Sequence, residues 1–99
     1  MARLDVFRNS GGDGYLLDLQ SDLLHGLNTR VVAPLMYLSD APIPAKRLNP
    51  VFEVEGHEVV MVTQYLASVS EIELKEYVTD LRSRHKEVVD ALDMLYLGF

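Results

Sequence analysis

From Arg3 to Phe7, charged Arg3 and Asp5 alternate with apolar Leu4 and Val6, the period of two that buries one face of a strand. The turn-rich run Asn9-Ser10-Gly11-Gly12-Asp13-Gly14 then leads into Tyr15 to Gln20, where Leu17 and Leu19 alternate with Asp18 and Gln20. Two antiparallel strands joined by a flexible tip are predicted. After the short stretch Ser21 to Thr29, the run Arg30 to Leu38 is nearly all apolar and rich in β formers; Pro34, which cannot donate to a ladder, predicts an edge, a bulge or a bend there. The segment Asp40 to Pro50, with Pro42, Pro44, Pro50 and the pair Lys46-Arg47, has the chemistry of an exposed loop. Val51 to Glu55 and Glu58 to Gln64 flank Gly56-His57 and predict a hairpin with Phe52 and Val54 inward and Glu53 and Glu55 outward. Val59-Val60-Met61-Val62 is apolar on both faces, as a central strand is.

The period changes from Glu71 onward. Leu81, Val88, Leu92, Leu95 and Phe99 are spaced 7, 4, 3 and 4 apart, one face of a helix, with Arg84, Lys86, Glu87, Asp90 and Asp93 on other faces. Thr79 or Asp80 is placed to cap its start, and Gly98 to end it. About five strands followed by one C-terminal helix predict a small β-barrel or curled sheet with the helix packed on it, a mainly β fold.

Length and composition narrow the function classes. A chain of 99 residues that is 48% apolar is one compact domain, residues 1–99, with one core and no room for a second. No apolar run approaches the ~20 residues of a membrane span, and Met1-Ala2-Arg3-Leu4-Asp5 has no basic segment before an apolar stretch, so a cytosolic protein without membrane contact is expected. The absence of cysteine excludes disulfides, thiolate metal sites and cysteine nucleophiles. Residues 1–50 balance five basic against five acidic side chains, so the whole net charge of −6 lies in residues 51–99. An acidic half without a basic stripe repels phosphate backbones, which speaks against direct nucleic-acid binding. The local exception, Arg82-Ser83-Arg84-His85-Lys86, has the pattern of a solvated helix face.

No catalytic constellation emerges. His25, His57 and His85 have no histidine at i+3 or i+4 and no cysteine partner, so neither a metal site nor a cofactor is expected. Asp18 and Asp22 need not converge across a strand end, Gly11-Gly12-Asp13-Gly14 is a hairpin tip and not a phosphate cradle, and the serines lack a nucleophile motif. The C-terminus is unusual in a different way. Met94-Leu95-Tyr96-Leu97-Gly98-Phe99 places five large apolar side chains in six residues where a chain is normally polar. Leu95, Tyr96 and Phe99 can finish a core face, but Leu97 lies about 200° around the wheel from Leu95 and points to a contact with another chain. Asp93, an acid in the final turns, opposes the helix dipole at a cost of ~0.3–1 kcal/mol that an external partner could recover.

In Asp18-Leu19-Gln20-Ser21-Asp22-Leu23-Leu24, Arg30-Val31-Val32-Ala33-Pro34-Leu35, Ala67-Ser68-Val69 and the terminal Leu97-Gly98-Phe99, the chain resembles the CcdB family over essentially its whole length. The resemblance implies a bacterial, cytoplasmic homodimer with an SH3-like small barrel and C-terminal helix, the fold shared with the MazF and Kid ribonuclease toxins. It implies a non-enzymatic toxin that binds the A subunit of DNA gyrase in its open, cleaved state and traps the broken DNA, until a CcdA-like antitoxin removes it. By position, gyrase-binding residues would be Leu23, Leu24, Asp93, Leu97, Gly98 and Phe99, with Tyr96 and Phe99 near the dimer axis; Asn9 to Gly14 and Asp40 to Pro50 would be candidates for antitoxin contact. Three positions depart from the family pattern. Leu97-Gly98-Phe99 stands where Trp-Gly-Ile is familiar, Asp93 where an Asn is, and Ser70 where a Pro is. Loss of the Trp removes an aromatic anchor and lowers the expected gyrase affinity, or alters the target.

Two alternatives compete. A MazF-like endoribonuclease would use the same fold with Arg30, Arg3 or Arg8 beside an RNA groove, against the repulsion of the acidic half. A non-toxic homologue that only binds its antitoxin would explain the missing Trp.

Overall fold

The computed structural model describes residues 1–98. In chain order the elements are β1 (Asp5–Arg8), β2 (Tyr15–Asp18), β3 (Thr29–Tyr37), β4 (Val51–Val54), β5 (His57–Met61), β6 (Ala67–Ser70), β7 (Tyr77–Asp80) and α1 (His85–Leu97). The strands form one sheet in the order β4-β5-β3-β2-β1-β7, with β6 joined to β3 off that path, and every pairing is antiparallel. The sheet curls into a half-barrel, and α1 packs into its concave side.

Strand β3 organises this arrangement. Of its nine residues, Val32 to Leu35 pair with β2 along one edge. The opposite edge is divided: Leu35 to Tyr37 pair with β5, and Thr29 to Val32 pair with β6. Pro34 sits at the junction, where its carbonyl accepts from the Val62 N–H at 3.0 Å. Its missing N–H therefore falls between the two partner strands, and the bend expected of this proline is a change of partner.

The β4–β5 hairpin follows its predicted facing, but its turn is Glu55-Gly56 and not Gly56-His57, because His57 pairs with Val54 as the first residue of β5. Phe52 and Val54 are buried, and Val51 and Glu53 exposed. Glu55 and Gly56 carry φ of 52° and 79°, the two positive values that a type I′ turn requires. Val59, Val60, Met61 and Val62 are all buried, with β5 held between β4 and β3.

The main core gathers Val6, Leu17, Leu35, Phe52, Val54, Val59 and Met61 from the concave face with Leu81, Val88 and Ala91 from the last segment. Phe7, Leu16, Val32 and Leu74 form a smaller cluster of their own. Two clusters explain why alternation misleads at β1 and β2: Asp5, Asp18 and Gln20, predicted to face water, are all buried.

Seven strands replace the expected five. β6 and β7 went unpredicted because Ala67 to Asp80 is polar and largely exposed, and backbone pairing to β3 and β1 holds it. The helix also starts later than its periodicity suggests. Thr79 and Asp80 belong to β7 and cap no helix: Leu81 precedes the one-turn 3₁₀ helix Arg82–Arg84 and Arg84 precedes α1, neither with a side-chain cap, and Asp80 Oδ1 accepts from the Arg82 N–H at 3.0 Å in a tight turn. The loop over residues 40–50 is mostly exposed, but Asn49 is buried and donates to the Met61 carbonyl and the Gln64 side chain.

Candidate functional site

Two exposed apolar groups stand out. The first is on residues 21–29, nine consecutive exposed positions that lead from beyond β2 into Thr29, the first residue of β3. Asp22–Leu24 forms a 3₁₀ turn in which Ser21 Oγ accepts from the Leu23 N–H at 3.2 Å, the bond an N-cap serine makes. The turn turns its leucines outward: Leu23 is 91% exposed and Leu24 48%.

The second group is the end of α1. Val88 and Ala91 are buried against the sheet and Leu95 is half-buried, whereas Tyr96 and Leu97 are 68% and 63% exposed. A single apolar stripe on the helix cannot serve both directions. Leu97 thus projects away from the core, as its position on the wheel predicts. Tyr96, which could have finished the core, does not do so. Gly98 ends the helix in the left-handed region at φ 82°, donating its N–H to the carbonyls of Asp93 and Met94 at 3.2 Å. Among the described residues the half-buried Asp93 carboxylate has no ion-pair partner. Phe99, assigned to both surfaces by resemblance, lies outside the described residues.

Open space surrounds the Cβ position of Gly98, so only its backbone conformation opposes a side chain there. Gly98→Ala should cost about 1 kcal/mol through the positive φ alone. Thermal unfolding checks this: a fall in Tm of more than about 10 °C would mean that Gly98 is packed more tightly than described.

Arg3 ties the leucine turn to the helix start. Its backbone N–H donates to Asp22 Oδ1 at 2.8 Å, and its guanidinium lies 3.2 Å from Nε2 of His85, the first residue of α1. Leu97 lies about 18 Å farther along the helix axis. Among the described residues no hydrogen bond joins Leu23 or Leu24 to Asp93, Leu97 or Gly98.

The cations considered for RNA chemistry are engaged elsewhere. Arg30 is 1% exposed and donates from Nε (3.0 Å) and Nη2 (2.6 Å) to Oδ2 of Asp18, which is wholly buried. Burial pushes the Asp18 carboxyl above its ordinary value, against the opposing pull of the Arg30 guanidinium and the Gln20 N–H. Arg8 is held between Glu55 and Glu76, and the buried Tyr15 hydroxyl donates to the other Glu55 oxygen at 2.8 Å; burial and Glu55 together push that phenol well up. A guanidinium neutralised by two carboxylates is a poor phosphate ligand. Arg82 pairs with Asp5 and Asp80, Arg84 with Glu87, and Lys86 with Asp90, so the basic run 82–86 is a neutralised surface.

Among the described residues no group of His, Cys, Asp or Glu side chains could hold a metal. A shallow hollow of about 230 Å³ lined by Arg47, Pro50, Glu87 and Asp90 lies beside the helix start. It is smaller than the roughly 300 Å³ at which ligand pockets begin. Among the described residues no helix is long and apolar enough to cross a membrane.

Sequence reasoning missed Gln20 and the Asp18–Arg30 pair, because alternation turns Asp18 and Gln20 toward water and the apolar run Arg30 to Leu38 gives Arg30 no face. A family model described as CcdB protein matches residues 3–98. No curated protein matches the chain.

Proposed function

The chain belongs to the CcdB family, toxins of toxin–antitoxin systems, and on that premise we propose that it binds the A subunit of DNA gyrase in its open, cleaved state and traps the broken DNA. The observation that carries this reading is the exposed apolar end of α1, Tyr96 and Leu97, on a helix whose opposite side is already committed to the core. A small apolar tip gains little alone. Doubled by a two-fold axis near the chain ends, with Tyr96 and Phe99 at the subunit contact, it becomes a continuous patch for a target of the same symmetry. Leu23, Leu24, Asp93, Leu97, Gly98 and Phe99 make the gyrase contact, and Asp93 receives there the ion-pair partner it lacks among the described residues. A CcdA-like antitoxin releases the toxin through the Asn9–Gly14 tip and the loop 40–50. The protein acts by binding, in the cytoplasm, without catalysis.

Purified gyrase tests this. Added protein should halt supercoiling and accumulate cleaved DNA, and Leu97→Asp should abolish both effects while leaving the melting temperature within a few degrees, since an exposed substitution rarely moves stability by more than about 0.5 kcal/mol. Gyrase that neither slows nor accumulates cleaved DNA at saturating protein overturns the proposal and leaves a homologue that only binds its antitoxin. RNA incubated with the protein should stay intact, because Arg30 is closed to solvent.

A further inference from the structure

The leucine turn has a structural problem that its neighbours solve. None of residues 21–29 is buried and Leu24 and Leu27 are only half covered, so little apolar packing fixes the direction in which Leu23 and Leu24 are held. Polar bonds must do it. Most of those tethers are themselves exposed: Ser21 Oγ to Leu23 N, Asp22 Oδ1 to Arg3 N, and His25 Nδ1 near the Asp22 carbonyl. Water competes with each.

Gln20 differs, being only 7% exposed. Its Oε1 accepts from the Val31 N–H at 3.0 Å, and its Nε2 donates to the Leu24 carbonyl at 3.3 Å. Gripped from both ends, the carboxamide cannot turn over without leaving a donor or acceptor unpaired. Its backbone is fixed as well, because the Gln20 N–H donates at 3.0 Å to Oδ1 of Asp18, whose other oxygen holds Arg30. A continuous polar chain thus runs from the buried ion pair to the turn. We propose that Gln20 is a positioning residue that holds the 3₁₀ turn in the orientation displaying Leu23 and Leu24 to the partner. This rests on the reading of those leucines as gyrase contacts.

Gln20→Met keeps the length of the side chain and loses both bonds; Gln20→Glu keeps the acceptor and loses the donor to Leu24. Both should raise the concentration needed for half-inhibition of supercoiling about tenfold, and both should speed amide hydrogen exchange in residues 23–28. Val59→Ala, a core truncation with no contact to the turn, should lower the melting temperature without this loss of potency. Leu23→Ser separates the two ideas. If it poisons gyrase as well as the native protein, the gyrase-contact reading of the turn fails, and exchange in the Gln20 variants alone judges the positioning role. If Leu23→Ser loses potency while both Gln20 variants keep full potency and native exchange, the positioning role is overturned. Should neither Gln20 variant fold, the native protein decides: its Gln20 carboxamide protons should exchange slowly and give two resolved NMR signals, and exchange at the rate of a free amide overturns the proposal.

Discussion

Arg30→Ala should cost about 3–5 kcal/mol, the range seen when one member of a buried ion pair is removed. Native stabilities are only about 5–15 kcal/mol, so the variant should be close to unfolded at physiological temperature. The reason is what remains behind. Asp18 is wholly buried and receives both guanidinium bonds on one oxygen, so truncating Arg30 leaves a carboxyl group with no charge partner in the interior. The pair itself is a different matter. Replacing both residues together, as Asp18→Leu with Arg30→Met, removes the desolvation cost along with the attraction and should recover most of the loss. Chemical denaturation of the two single variants and the double variant gives the coupling directly. An Arg30→Ala protein less than about 1 kcal/mol weaker than the native one would show that water reaches this pair. The same experiment has a consequence for any nuclease assay, since activity lost in an Arg30 variant would report unfolding and not catalysis.

Gly14→Ala should be nearly as damaging, by roughly 3 kcal/mol. Two costs act together there. Gly14 sits at φ 86°, where a side chain is strained, and a Cβ would meet the backbone carbonyl oxygen of Leu35 at 2.5 Å. That oxygen belongs to β3, which is bonded on both edges, so it cannot retreat without breaking the Tyr15–Leu35 pairing at the end of β2. Gly56→Ala makes the comparison: its φ of 79° is similar, but nothing lies within 4 Å of its Cβ position. Melting temperatures should fall for Gly14→Ala by about three times as much as for Gly56→Ala, where about 1 kcal/mol of strain acts alone. Equal losses would remove the steric part of the argument.

How far the chain could be understood in advance depended on what each residue faces. The β4–β5 hairpin was legible in its facing because β4 is wetted on one face only, but its turn lies one residue earlier than expected, since Glu55 takes the first positive φ and His57 joins β5. The final helix was legible in existence and in its end at Gly98, but not in its start, since Leu81 joins the core from outside the helix and extends the apparent period by a turn. β6 and β7 could not be found, because backbone pairing holds them and leaves little apolar signature. Of the candidate site, Leu23, Leu24, Tyr96 and Leu97 are exposed apolar residues, a property the sequence shows only for Leu97, through its angle from Leu95. Gln20 and Arg30 were hidden for the opposite reason. Alternation assigns Gln20 to water, and Arg30 opens a run too apolar to show which face its side chain takes, yet both are buried.

The order in which this half-barrel is completed has a bearing on its synthesis. Val88 and Ala91, which cover the concave side, leave the ribosome after all the described strands, and the strand that borders β1 opposite β2 is made only shortly before them. A polypeptide that stops short of His85 leaves Phe52, Val54 and Val59 without their cover and is a substrate for chaperones and proteases. A nascent chain therefore stays open on its concave side until α1 has been made.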